Sequence, residues 1–107
     1  MDVLKSLYET VLERKNNKSE GSYTCYLFEK GLDKILKKCG EECSEAIIAA
    51  KNNDKLELTN EICDLLYHLL VLMAQCDVSL SAVEGELAVR REKIGNLKEM
   101  KQTDKNS

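Results

Sequence analysis

Residues 28–76 read FEKGLDKILKKCGEECSEAIIAAKNNDKLELTNEICDLLYHLLVLMAQC, and the spacing of their apolar positions decides the fold. Leu32, Ile35, Leu36, Cys39, Cys43, Ala46, Ile47 and Ala50 recur with helical period, which predicts a helix from about Phe28 to Asn52. Gly31 and Gly40 are each expected to weaken it by about 1 kcal/mol relative to alanine, so that tertiary packing must hold it. Asn52, Asn53 and Asp54 make a polar turn, and a second long helix is predicted from about Lys55 to Cys76. From Leu58 onward it is apolar over most of its circumference, and such a helix is expected to be buried.

Outward from this pair, Val3, Leu4, Leu7, Val11 and Leu12 predict an N-terminal helix over residues 2–15. It ends in the polar run KNNKSEG, where Gly21 and Ser22 lead into a short aromatic segment, Tyr23, Tyr26 and Phe28. On the other side, a turn at Asp77 to Ser79 precedes a last helix expected to reach about Lys98, with Ser81 and Glu84 spaced as a capping box. No stretch shows sustained period-two alternation. The expected fold is therefore all-α, a small four-helix bundle over residues 1–98, with a polar tail at 99–107 that has nothing apolar to bury.

Composition agrees. The chain has 107 residues, enough for one domain, with no proline, no tryptophan and five glycines, so few turns and long elements are expected. With so little loop, chemistry must come from helix faces. A net charge of -3, from 19 acidic and 16 basic residues, argues against a nucleic-acid scaffold. Met1 to Leu12 lacks the continuous apolar stretch of an export signal, and Leu69 to Ala74 falls far short of the roughly 20 residues that span a bilayer. Five cysteines, an odd number at scattered positions, suit a reducing compartment, and a cytoplasmic location is expected.

The chemistry lies in two groups of acids. Glu41 and Glu45 are four residues apart and Glu42 and Glu45 three, so all three project from one side of their helix; Glu61 and Asp64 are paired in the same way on the next. On that second helix, Glu57, Glu61, Asp64, His68 and Gln75 fall within a strip roughly 60° wide at about 100° per residue, too narrow for a solvated face. It reads as the wall of a polar cleft. Clustered acids in a cleft need a proton or a cation to offset desolvation and repulsion, and hard oxygen donors favour Mg²⁺ over Zn²⁺. Lys30, Lys34, Lys37 and Lys38 share the angular sector of Glu41 and Glu45. Metal beside lysine suits a polyphosphate, although such lysines also serve solubility and pairing with the glutamates.

These residues resemble a known pattern. EExxE at Glu41, Glu42 and Glu45, followed by ExxD at Glu61 and Asp64, is similar to the signature of the all-α nucleoside triphosphate pyrophosphatase (MazG-like) superfamily. The surrounding text, EGSYTCYLFEKGLDKILKKCGEECSEAIIAAKN and EICDLLYHLLVLM, resembles its phosphoribosyl-ATP pyrophosphatase family over roughly residues 3–92. The resemblance implies a Mg²⁺-dependent homodimer that hydrolyses 1-(5-phosphoribosyl)-ATP to 1-(5-phosphoribosyl)-AMP and pyrophosphate, the second step of histidine biosynthesis. It implies Glu42, Glu45, Glu61 and Asp64 as metal ligands, with Glu41 supporting them or orienting the attacking water. Lys30, Lys34, Lys38 and His68 are the candidates for substrate contact. Cys43, Ser44 and Cys63 stand where small apolar residues, mostly alanine, would be expected, and all are small enough to pack.

Two other functions fit parts of the pattern: a house-cleaning pyrophosphatase acting on free or modified nucleoside triphosphates, and a non-enzymatic helical oligomerisation module whose acids are merely solvated. A zinc site from Cys39, Cys43, Cys63 and His68 is disfavoured, because the cysteines point to the apolar side of their helix. Arg90 and Arg91 read as surface ion-pairing residues, and Tyr23, Tyr26 and Phe28 as packing residues or a stacking surface for a base.

Overall fold

A computed structural model describes residues 2–93. Within them the chain forms five helices and no strand: α1 (Val3–Asn16), α2 (Tyr23–Lys30), α3 (Leu32–Lys51), α4 (Lys55–Gln75) and α5 (Leu80–Arg91). Helix α5 ends at Arg91 with Glu92 as its C-cap, short of the expected end near Lys98, and the polar tail at 99–107 lies outside the described residues.

The helix predicted over 28–52 is two helices. It begins five residues earlier, at Tyr23, because Ser22 is a good N-cap: its Oγ accepts from the Cys25 N–H at 3.1 Å. It then breaks at Gly31, whose φ of 93° and ψ of -173° lie in a region open essentially to glycine alone. The Gly31 N–H still donates to Leu27 at 2.9 Å and its carbonyl still accepts from Ile35 at 3.2 Å, so this one residue closes α2 and opens α3. Apolar periodicity runs through the break and does not reveal it. The cap of α5 is likewise Ser79, two residues before the predicted Ser81, and it accepts from the Ala82 N–H at 3.1 Å.

The turn at Asn52 to Asp54 sends α4 back along α3, and this antiparallel hairpin is the largest helix pairing in the fold. Asn53 takes a φ of 55°, a left-handed conformation that asparagine tolerates, and the Asp54 side chain caps α4 by accepting from the Glu57 N–H at 3.0 Å. The core sits at the opposite end of the hairpin, where Ile35, Leu70, Val71 and Ala74 meet Tyr8 and Val11 of α1 and Leu27 of α2. Helix α1 also ties down the end of α4. Lys15 Nζ donates to the Ala74 carbonyl at 2.7 Å, and the Tyr8 hydroxyl donates to the Val78 carbonyl at 2.7 Å.

Helix α4 is not buried all round, as its composition led us to expect. Glu61 and His68 of its polar strip turn inward and are buried, Glu57 and Asp64 stay exposed, and Ile62, Leu66 and Leu69 face out. One chain has only α1, α2 and α3 to lay against it, and these cover one side. No single helix among the described residues is long and apolar enough to cross a membrane.

The two helix glycines should respond oppositely to substitution. Gly40 has regular helical geometry with open space where a Cβ would stand, so Gly40→Ala is expected to raise stability by about 1 kcal/mol in urea unfolding. Gly31→Ala is expected to lower it by about 1–3 kcal/mol, because the strained backbone would no longer be available at little cost. Equal effects of one sign would contradict this description of the break.

Candidate active site

Hairpin geometry brings the two acid groups together. Glu45 and Glu61 stand at equal sequence distances from Asn53, and Glu42 lies one turn back from Glu45 on the same face of α3. Oxygens of Glu42, Glu45 and Glu61 all fall within 4.8 Å of one another. Glu42 and Glu61 are each only 7% exposed, whereas Glu45 is open to solvent. Three anionic groups at such distances cannot all stay charged without a counter-ion. The Glu61 carboxyl is pushed up to about 8, first by a hydrogen bond with Glu45 that needs its proton, then by burial, then by Glu42. At neutral pH Glu61 is therefore a proton donor to its neighbours.

Lys38 supplies the nearest positive charge. Its Nζ lies 3.4 Å from Glu41 and 3.9 Å from Glu42. Burial works against the ammonium, but Tyr23, Glu41 and Glu42 outweigh it, and the Lys38 pKa lies above the ordinary lysine value. Thus Glu41 faces Lys38 at the edge of the triangle, outside the group of three. Asp64 is exposed, and its carboxylate also lies outside that group. On the turn side, Glu45, Glu57 and Glu61 line a hollow of about 180 Å³ with Asn52 and Asp54.

The other predicted contacts divide. Lys34 is half-buried and makes no ion pair among the described residues; Lys30 holds its ammonium 5.8 Å from the Tyr26 ring centroid. His68 is 5% exposed and both its nitrogens are engaged. A carbonyl oxygen can only accept, so Nδ1 carries the proton and donates to the Asp64 carbonyl at 2.7 Å, leaving Nε2 to accept from the Tyr23 hydroxyl at 3.0 Å. His68 thus offers neither nitrogen to a ligand in this arrangement. Among the described residues no cysteine joins a metal-binding group, and Cys43 and Cys63 are exposed. Tyr23, read from the sequence as a packing residue or a stacking surface for a base, feels the charges of Lys38 and Glu42; its partnership with His68 had no signal in the sequence.

Comparison with known proteins places this geometry in context. A family model described as phosphoribosyl-ATP pyrophosphohydrolase matches residues 4–91. A phosphoribosyl-ATP pyrophosphatase of Clostridium botulinum is 58% identical over 102 residues, covering 95% of this chain and 93% of the relative. Proteins of the same name from Listeria welshimeri and Clostridium novyi are 57% and 54% identical, covering 95% and 92% of this chain and 98% and 89% of their own lengths.

The acid triangle has a consequence for stability. Glu61 keeps its proton to about pH 8 when folded, but only to about 4.5 as an ordinary glutamate, so between those values the folded chain holds one proton more than the unfolded. Its contribution is fully present below the lower value and is lost as pH rises through the upper one. In EDTA, the Tm is expected to fall between pH 5 and pH 8.5. In Glu61→Gln, which cannot ionise, that fall should be distinctly shallower. Identical slopes for the two proteins in thermal unfolding would contradict the shared proton.

Proposed function

The chain belongs to the phosphoribosyl-ATP pyrophosphohydrolase family, and from that membership we propose that it hydrolyses the α–β phosphoanhydride of 1-(5-phosphoribosyl)-ATP. The products are pyrophosphate and 1-(5-phosphoribosyl)-AMP, the second step of histidine biosynthesis. The observation that carries the site assignment is the triangle of Glu42, Glu45 and Glu61 on facing helices.

The donor set fits a hard divalent cation. All three groups are carboxylates, two are buried, and one retains a proton that a cation would displace, which suits Mg²⁺ better than a metal preferring nitrogen or sulfur. Glu42, Glu45 and Glu61 would hold the cation, and Asp64, one turn on from Glu61 in α4, would be the further carboxylate available to it. When bound, Mg²⁺ supplies charge neutralisation for the phosphate oxygens and activation of water. The chain's own residues do the rest. Lys38, tethered between Glu41 and Glu42, meets the phosphate charge that the acids alone would repel. Glu41 supports this arrangement through Lys38, and a carboxylate left free by the cation accepts the proton that the attacking water loses. No covalent nucleophile is needed.

The outward apolar face of the hairpin supports a homodimer. Ile47, Ile48, Leu56, Ile62 and Leu66 are all exposed on α3 and α4, and a second copy of the chain would cover them. Such a core, one hairpin from each subunit, differs from the single-chain bundle expected from the sequence, with the second copy supplying the cover that one chain lacks. Five unpaired thiols suit activity in the cytoplasm.

The test is pyrophosphate release in Mg²⁺ from phosphoribosyl-ATP and, separately, from ATP. Faster turnover of ATP would overturn the substrate assignment in favour of a general nucleoside triphosphate pyrophosphatase. Glu45→Gln and Asp64→Asn are expected to lower kcat by about 100-fold or more while circular dichroism shows the helices retained. Unchanged turnover in both variants would remove the acids from the chemistry.

A further inference from the structure

The acid site leaves the aromatic opening of α2 unused. A hollow of about 500 Å³ lies between the α1–α2 connection and α2, with Lys18, Ser19 and Ser22 on its rim and Tyr23 and Tyr26 in its wall. The two rings expose 45% and 40% of their residue surface and are stacked, with centroids 6.0 Å apart and an interplanar angle of 25°, and Tyr67 stacks on Tyr23 in turn at 6.2 Å and 29°. Exposed tyrosines on a helix are ordinarily free to turn, but Tyr23 is not. Its hydroxyl donates to His68 Nε2, and the buried imidazole, fixed by the Asp64 carbonyl, also lies edge-on to the Tyr23 ring at 5.8 Å and 88°. A preset aromatic surface binds without the entropy cost of ordering side chains.

The hollow is also joined to the acids. Burial raises the Tyr23 phenol above its ordinary value, Lys38 opposes that rise and Glu42 adds to it. Lys38 in turn lies within 3.9 Å of Glu42. Tyr23 therefore belongs to both the hollow and the edge of the acid triangle. An aromatic heterocycle is the ligand chemistry that two parallel tyrosines recognise, and Lys38 and the acids nearby suit the phosphates of the same nucleotide.

We propose that Tyr23 and Tyr26 form the shelf on which the purine of the substrate stacks, and that His68 is the positioning residue that holds Tyr23 in place. This rests on the nucleotide chemistry proposed above. Recognition of the base here is expected to appear in KM more than in kcat, because the base is remote from the bond that breaks.

The chain contains no tryptophan, so Tyr23→Trp introduces a single fluorophore at the shelf while keeping an aromatic face. Its emission should be quenched saturably by 1-(5-phosphoribosyl)-AMP and by ATP, and not by pyrophosphate alone. In turnover, Tyr23→Ala is expected to raise KM for phosphoribosyl-ATP by about tenfold with kcat within about threefold, and Tyr23→Trp to restore KM. His68→Asn should raise KM in the same direction by a smaller factor. Absent quenching at nucleotide concentrations that inhibit the wild-type chain, an unchanged KM in Tyr23→Ala, or a loss confined to kcat would overturn the shelf. If Tyr23→Ala does not fold, the tryptophan titration decides alone. Wild-type protein that releases no pyrophosphate from phosphoribosyl-ATP would instead overturn the substrate assignment, and quenching by ATP would still test the shelf separately.

Discussion

Three carboxylates within 4.8 Å of one another at the seam between two helices set the condition that the rest of the molecule must meet. Their repulsion opposes the pairing of α3 and α4, the largest helix pairing in the fold. Glu61 relieves the strain by keeping its proton and bonding to Glu45 and Glu42. The remaining force is opposed from outside the site: at one end by the short Asn52 to Asp54 turn, at the other by the core that Ile35 and Val71 share with Tyr8, Val11 and Leu27. The acids thus sit between two clamps. That is the arrangement needed for a site whose protons are to be exchanged for a cation without the helices separating.

Small features of the chain serve this frame. Lys15 reaches from α1 to the Ala74 carbonyl in the last turn of α4, and Tyr8 to the Val78 carbonyl in the connection that leads to α5. Gly31 lets α2 depart from the direction of α3, and Tyr23, at the start of α2, reaches the His68 ring on α4. His68 therefore links two helices in one side chain: it is anchored on the Asp64 carbonyl of its own helix, packed on Tyr67 and on Tyr23 of α2, and spent as a ligand.

Much of this was legible in the sequence where one residue type has one physical meaning. The apolar period over residues 3–16 and 55–75 marked α1 and α4 to within a residue or so, and the narrow strip of Glu57, Glu61, Asp64, His68 and Gln75 included the two polar side chains of α4 that are buried, Glu61 and His68. Gly31 was not legible, since a glycine inside a helix and a glycine ending one differ only in backbone angle, and the apolar positions continue through both. Ser79 and Ser81 compete as caps with equal chemistry, and the path of the chain into α5 decides between them. The partners of His68 and the single lysine that meets the acids depend on which helices touch. The outward face of Ile62 and Leu66 shows the limit most plainly: apolar periodicity states that a face must be covered, and is silent on whether the cover comes from the same chain.

The central claim is that the triangle holds a proton which a divalent cation displaces, and calorimetry tests it most directly. Mg²⁺ is titrated into the chain at pH 7 in two buffers of different ionisation enthalpy, so that the apparent binding enthalpies report the protons released. With Glu61 at about 8 in the free chain, release of about one proton per chain is expected, falling to near zero in Glu61→Gln. Mg²⁺ binding with no proton released, or with the same release in Glu61→Gln, would contradict the account.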